Sequence, residues 1–582
     1  MRQAQSLHFS THDGVELHYR HWPATRNEHQ PRRALVMFHR GHEHGGRMAH
    51  LADELDLPGY DIFAWDARGH GLSPGARGDS PSFATSVRDV QTFIEHIQAR
   101  HGIAEPDMAV LAQSVGAVLI ATWAHDYAPK VRCLVLASPA FKVKLYVPFA
   151  RPGLKLLKAL RGNFFVNSYV KPRLLTHDPE RVMSYTADPL ISRPISVTVL
   201  LGLYEAADRV VADAQAIQVP TQLLVSGADF VVERGPQERF FERLGSPRKE
   251  MHILPGFFHD TLGERDRTHA LARIERFIAH CFDAPLPAPS LLDADKVGAS
   301  CAEAECLAAP LPRNSPRDLY WRSYRASLRL GKGLSEGVKL GFDTGFDSGS
   351  TLDYVYRNQA TGKGKLGELI DRNYLDAIGW RGIRQRKVHV EELLRLAIAR
   401  LREQARPVHI VDIAAGHGRY ILEALQEQLP DSILLRDYSE LNVQQGSALI
   451  NEKGLGEIAR FVQGDAFDRQ SLASLDPRPT LAVVSGLYEL FASNQLVGDS
   501  LAGLADAVED GGYLVYTGQP WHPQLEMIAR ALTSHRGGDA WVMRRRSQAE
   551  MDQLVEAAGF RKIAQRIDGW GIFSVSLAQR VR

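Results

Sequence analysis

Short apolar runs, each closed by a glycine or a polar residue, recur along the chain. In the first half, ALVMFH (34–39), DIFAWD (61–66), MAVLAQ (108–113) and TQLLVSGAD (221–229) lack the alternation of a half-exposed strand. They predict short strands covered on both faces. GAVLIATWAHDYA (116–128) and RTHALARIERFIAHCF (267–282) predict helices. The second half repeats the rhythm: HIVDIAAGHGRYILEAL (409–425) is a strand, a loop of small residues and a helix. SILLRDYS (432–439), ARFVQGDAF (459–467), TLAVVSGLYELF (480–491) and the end of LADAVEDGGYLVYTGQP (504–520) supply further strands, and residues 548–580 a helix and two strands. Strands alternating with helices imply a parallel sheet with helices on its faces, so the fold class is α/β in both halves. Between them, APLPAPSLLDADKVGASCAEAECLAAPLPRNSPRD (284–318) is rich in Pro and Ala, and its apolar periodicity lapses. It predicts an interdomain linker.

The 582-residue length requires more than one core. A net charge of +1 gives no basic excess for nucleic acid. The four cysteines show no CxxC pairing, and Cys301 and Cys306 have no neighbouring ligands to complete a zinc site. Reduced thiols and a cytoplasmic protein are expected. The N-terminal MRQAQSLHFSTHDGVELHYR has no apolar core of a signal peptide, and no window has the length of a transmembrane helix.

Ser114 falls between the strand 108–113 and the helix 116–128, within Ala112-Gln113-Ser114-Val115-Gly116. That is the setting of a nucleophile on a sharp strand-to-helix turn, but a small residue in a buried turn would look the same. A nucleophilic serine needs a base and the base an orienting acid. Asp229 closes a buried strand, and His259 lies in the loop of MHILPGFFHD before a helix. The order Ser, Asp, His is that of α/β-hydrolases. The loop FHRGHEHGGRM (38–48) follows the first buried strand, where a backbone N–H can meet an oxyanion; the second donor is Val115 N–H.

His39-Arg40-Gly41-His42-Glu43-His44-Gly45-Gly46-Arg47 resembles the HGxxEHxxR loop of monoacylglycerol lipases and lysophospholipases of the serine aminopeptidase S33 type, and DARGHGLSPG (66–75) resembles their DxRGHGxS segment. The resemblance implies an α/β-hydrolase fold over residues 1–283 with a helical cap at about 141–219, and it aligns Gly41 with the usual oxyanion donor. Arg40 stands where that family carries glycine. His39, His42 and His44 read as a structural loop rather than a metal site. In the cap, FKVKLYVPFARPGLKLLKALRGNFF (141–165) is basic and amphipathic. It fits a lid meeting an anionic membrane or an ordinary cap with a solvated face.

In the second half, Asp412-Ile413-Ala414-Ala415-Gly416-His417-Gly418 lacks the third spaced glycine of a dinucleotide fingerprint. It resembles the acidic, glycine-rich loop of class I S-adenosylmethionine (SAM) methyltransferases, with Ala414 replacing the first glycine. Asp437 ends the next strand, where an acid can accept ribose hydroxyls. The resemblance places Asp465 against the adenine amine, Ser485 at the active end of the fourth strand, and a Rossmann-like methyltransferase fold over 405–582, behind a helical lead-in at 319–404 that could line the acceptor site. Tyr354, Tyr488, Glu489 and His522 are possible acceptor contacts. GFDTGFDSGS (341–350) does not match a calcium loop and reads as a turn.

The whole resembles a bacterial fusion of an α/β-hydrolase to a class I methyltransferase. The expectation is a bifunctional enzyme. Ser114, Asp229 and His259 hydrolyse a lipid ester such as a monoacylglycerol or lysophospholipid, with Gly41 and Val115 at the oxyanion. The second half uses SAM on an unknown acceptor. Alternatives are an acyltransferase or peptidase with the same triad, and a second half that binds SAM only as a regulatory scaffold. The basic cap leaves peripheral contact with the inner membrane face open.

Overall fold

The computed structural model describes residues 2–26, 31–144, 149–168, 170–425 and 429–581. Residues 145–148 of the basic cap segment, 27–30 and 169 of the expected hydrolase region, and 426–428 of the expected methyltransferase region therefore lie outside the described residues, as do both terminal ones. The chain forms two compact units, Met1–Pro289 and Ser290–Arg582.

The first unit is built on an eight-stranded sheet. Its strands are β1 (Gln5–Ser10), β2 (Glu16–Trp22), β3 (Arg33–Phe38), β4 (Tyr60–Trp65), β5 (Met108–Gln113), β6 (Cys133–Ala137), β9 (Thr221–Ser226) and β10 (Lys249–Leu254), with β7 (Phe165–Asn167) and β8 (Pro194–Ser196) forming a separate ribbon. The order is β1-β2-β4-β3-β5-β6-β9-β10; β2 runs antiparallel to both β1 and β4, and the pairings from β4 to β10 are parallel. Every residue of β5 and β9 is buried. That is why these strands read as unbroken apolar runs: helices cover both faces of a parallel sheet. The chain winds outward from β3 in both directions, to β4 on one side and β5 on the other. Loops at the carboxyl ends of β3 and β5 therefore face one crevice. The cap is inserted between β6 and β9 and carries the helices Ala150–Arg161, Pro179–Ala187 and Val197–Ala212.

The second unit has a seven-stranded sheet of β11 (His409–Asp412), β12 (Ser432–Asp437), β13 (Ala459–Gln463), β14 (Leu481–Val484), β15 (Tyr513–Gly518), β16 (Phe560–Ile567) and β17 (Ser574–Arg580). The order is β13-β12-β11-β14-β15-β17-β16, with β17 antiparallel to both neighbours. Apolar clusters cover both faces, one under the helix Ile378–Glu403 and one under the helices Asn494–Ala507 and Gln548–Ala557. The switch point lies between β11 and β14, again opening a crevice at the carboxyl ends.

The expected linker needs correction. Its residues from 290 onward belong to the second unit and include the helix Ala299–Ala308. Leu291 N–H donates to Gln553 Oε1 at 2.7 Å, and Asn494 N–H donates to Asp295 Oδ2 at 2.8 Å. Polar anchors of this kind leave no periodic apolar trace, so composition alone read the segment as a spacer.

Candidate active sites

In the first unit, β5 ends at Gln113 and a helix begins at Val115. Ser114 between them has φ 56° and ψ −116°, which a non-glycine residue adopts only where its surroundings impose it. Its N–H donates to Ala137 O of β6 at 2.9 Å, and its carbonyl accepts from Ala140 N at 3.1 Å. The turn is tight because Gly116 packs against the end of β3. A Cβ there would run into His39 O and stand 2.8 Å from Phe38 O.

Ser114 Oγ lies 2.7 Å from His259 Nε2, and His259 Nδ1 lies 2.8 Å from Asp229 Oδ2. The carboxylate fixes the proton on Nδ1 and leaves Nε2 to accept the serine proton. Burial pushes the Asp229 carboxyl up, but His259 and the N–H groups of Val231 and Val232 outweigh it and hold its pKa below the ordinary value. The group stays ionised where it orients the imidazole. All three residues are buried. This is the geometry of an activated nucleophile.

Gly41 abuts Val115: an added Cβ on Gly41 would stand 3.0 Å from Val115 Cγ2. Val115 opens its helix, so its N–H has no intrahelical acceptor. The loop carrying Gly41 is fixed by Asp66, which accepts Gly45 N–H at 2.7 Å, Leu72 N–H at 2.9 Å and Arg20 Nη1 at 2.9 Å. Arg40 points away into a buried ion cluster. Its Nε and Nη2 each donate to Glu43 at 2.7 Å, and Nη2 lies 3.7 Å from Asp260 beside His259. The histidines of this loop are engaged structurally. His39 Nδ1–H donates to Arg40 O while its Nε2 accepts from Ala67 N, and His44 donates to Asp188 of the cap.

In the second unit, six of the seven residues expected at the cofactor site line one cavity of about 630 Å³: Ala414, Gly416, Gly418, Asp437, Asp465 and Ser485. Gly416 has φ +58°, and the nearest atom to an added Cβ would be Gly349 Cα at 3.5 Å, so its backbone faces open space at the loop crest. Asp437 Oδ2 accepts Gly416 N–H at 2.9 Å, tying β12 to this loop. Phe467 and Phe491 meet edge to face at 4.5 Å beside Asp465. A bare backbone crest, two carboxylates and an aromatic slot fit a nucleoside with a charged tail.

Asp412 corrects the expectation. It is fully buried and does not line the cavity; Oδ1 accepts Ala414 N–H at 3.1 Å and the carboxyl accepts the Tyr420 hydroxyl. Burial pushes its pKa up to about 7. Asp412 shapes the loop from beneath.

The far wall comes from the helical lead-in, expected to line the acceptor site but not the cofactor cavity. Thr344 and the residues Asp347 to Ser350, with Leu352 and Asp353, close the cavity from the helices Glu336–Thr344 and Gly349–Arg357. Asp353 Oδ1 accepts Arg419 Nε at 2.5 Å, and Ser350 Oγ lies 3.3 Å from His417 Nε2. Burial would raise Asp353, but His417 and Arg419 hold it down at about 2. The stretch 341–350 is thus two helix ends with Ser348 capping the second, not an isolated turn. A second cavity of about 320 Å³ adjoins the first and takes in Glu489 and His522. Tyr354 and Tyr488 line neither cavity: the first donates to Asp371, and the second lies 3.0 Å from Ser500 Oγ.

Comparison with known proteins agrees with this division. A family model described as "Putative methyltransferase" matches residues 274–580, and one described as "Serine aminopeptidase, S33" matches residues 29–266. "Uncharacterized protein YnbC" of Escherichia coli is 56% identical over 98% of both chains. "Monoacylglycerol lipase" of Mycolicibacterium smegmatis is 26% identical over 46% of this chain and 93% of its own length. Human "Monoglyceride lipase" is 28% identical over 43% of this chain and 82% of its own length.

Proposed function

Since the chain belongs to that methyltransferase family, with an α/β-hydrolase of the serine aminopeptidase S33 type ahead of it, we propose that it is a bifunctional enzyme: a serine hydrolase of lipid carboxylic esters and a SAM-dependent methyltransferase. The observation that carries the first activity is the unbroken chain Ser114 Oγ, His259, Asp229 on a strained backbone turn of the kind a nucleophile elbow requires. Ser114 Oγ attacks the ester carbonyl as His259 Nε2 takes its proton. The N–H groups of Gly41 and Val115 hold the oxyanion. His259 then protonates the departing alcohol, and a water activated by the same imidazole releases the acid. Relatives named for monoacylglycerol hydrolysis support a monoacylglycerol as the ester, and a lysophospholipid is the second candidate.

In the second unit, SAM supplies an electrophilic methyl when bound. Ala414, Gly416 and Gly418 would pass under its amino-acid tail, Asp437 would accept the ribose hydroxyls, and Asp465 with Ser485 would border the adenine and the sulfonium. A preformed cleft of this kind works by positioning.

Membrane contact rests on the helix Ala150–Arg161. It buries none of its residues, and Phe149 is 86% and Leu160 73% exposed among Lys155, Lys158 and Arg161. No helix among the described residues is long and apolar enough to cross a membrane. An apolar stripe flanked by cations fits an anionic lipid surface.

The first test is fatty-acid release, followed by mass spectrometry, from monoacylglycerols, lysophospholipids and short esters, with Ser114→Ala alongside. Release that vanishes in the variant supports the reading, and no release from any ester by the folded wild type overturns it. Calorimetric titration with SAM tests whether the second unit binds the cofactor, and transfer of its labelled methyl to a lipid extract tests the second activity; saturable binding without transfer favours the scaffold reading.

A further inference from the structure

The second cavity adjoins the first: Asp347, Leu352, Gly486 and Leu490 line both. Its wall is mainly apolar and aromatic, with Phe346, Trp380, Met543 and Phe573 prominent. Set into that wall are four residues, each less than a tenth exposed, that carry a polar atom with no hydrogen-bond partner: Arg386 Nε, Glu489 Oε2, Gln519 Nε2 and Trp541 Nε1. Buried polar atoms are nearly always paired, because leaving one unpaired costs about 1–3 kcal/mol. Four around one cavity point to a ligand with polar atoms of its own.

The pattern of those atoms selects the ligand. Arg386 and Trp541 can only donate, Gln519 presents a further donor, and Glu489 presents an acceptor. Three charged groups lie on the wall. Asp347 is already held by Ser534 Oγ at 2.7 Å and His535 N at 2.6 Å. Arg386 Nη1 and Glu489 Oε1 lie 3.6 Å apart and offset one another. His522 Nδ1 accepts Gln524 N–H at 3.0 Å, leaving its proton on Nε2. A carboxylate ligand would bring only acceptors and repel Glu489. An ammonium would bring only donors and leave Arg386, Gln519 and Trp541 unanswered. A neutral hydroxyl gives one proton to Glu489 and accepts at two lone pairs, so it answers both kinds of orphan and up to three of the four atoms.

We infer that this cavity is the methyl-acceptor site and that it takes a neutral, largely apolar molecule, aromatic or similarly flat, through a single hydroxyl. The inference rests on the methyl-transfer reading. The hydroxyl donates to Glu489 Oε2 and accepts from Arg386, Gln519 or Trp541. Glu489 receives the proton as the oxygen–carbon bond to the donated methyl forms and the carbon–sulfur bond breaks, leaving a neutral thioether and an ether product. Thr517 Oγ1 donates to Glu489 Oε1 at 2.7 Å and keeps the other oxygen for the acceptor.

The test titrates the full chain calorimetrically with 2-naphthol, 2-naphthoic acid and (2-naphthyl)methylamine, which offer one ring system as a neutral hydroxyl, an anion and a cation. SAM is titrated separately. The naphthol should bind at least tenfold more tightly than the other two. Glu489→Gln should weaken it about tenfold and reduce methyl transfer onto it more than a hundredfold, while the SAM Kd moves less than twofold. The unchanged Kd shows that the variant is folded. Preference for the acid or the amine, saturable binding of none of the three, or a Glu489→Gln protein indistinguishable from wild type would overturn the assignment. Failure of SAM itself to bind would sink the methyl-transfer reading, and the naphthol preference would still decide what the cavity takes.

Discussion

Under the proposed mechanism Ser114, His259 and Asp229 work as a unit, so the loss from removing one is large and non-additive. Ser114→Ala should lower ester hydrolysis at least a thousandfold. Asp229→Asn leaves the shape but no longer selects the Nδ1–H tautomer, and should cost about 10⁴ in kcat by assay on the same ester. Asp412 makes a different prediction. Its folded pKa lies near 7, above the ordinary value of 3.8, because burial disfavours its charge. The folded state therefore holds a proton that the unfolded chain releases between about pH 4 and 7, and the contribution to stability is lost as pH rises through that window. Asp412→Asn keeps an acceptor for Ala414 N–H and carries no charge. Thermal unfolding should show the variant gaining on wild type by up to about 1.4 kcal/mol per pH unit across that window, and by nothing below it. The grouping of Ser114, Asp229 and His259 was legible as an ordered set of residue types at strand ends. The place of Asp412 was not, because a carboxylate that binds a ligand and one that holds the loop beneath it look alike in a motif.

Among the elements, the strand-to-helix corner depends on how closely β3 and the helix Val115–Tyr127 approach. Gly116→Ala places a methyl against the carbonyls of Phe38 and His39, which are backbone and cannot swing aside. It should destabilise the first unit by about 1–3 kcal/mol in denaturant titration and displace the nucleophile. The cap helix Ala150–Arg161 supports a second prediction. Leu156 and Leu160 lie one turn apart and both are exposed. Leu156→Asp with Leu160→Asp should weaken sedimentation with phosphatidylglycerol vesicles at least tenfold, since each leucine is worth roughly 1.5–3 kcal/mol when fully buried. Equal binding by both proteins would assign the helix to an ordinary solvated cap.

At the scale of the whole molecule, all three triad residues lie within Met1–Pro289, and every residue lining the two cavities lies within Ser290–Arg582. Ser114→Ala should therefore leave SAM affinity within twofold of wild type in calorimetry, and Glu489→Gln should leave ester hydrolysis within twofold. The sequence by itself determined the two α/β units, the buried strands and the glycine-rich loop, because burial on both faces, tight turns and phosphate-free backbone crests each demand residue types at short range. It also grouped six residues that line one cavity, since all of them sit at or just beyond strand ends. Only the tertiary structure decided which distant helix would close the site. Asp353 reaches Arg419 across 66 residues, and Arg386 meets Glu489 across more than a hundred. The one local sign was a cation at position 386 on the apolar face shared by Ile383, Val390 and Leu393. The physical reason is range: periodicity reports the environment on either side of an element, whereas a pocket is the meeting of side chains whose separation along the chain carries no pattern.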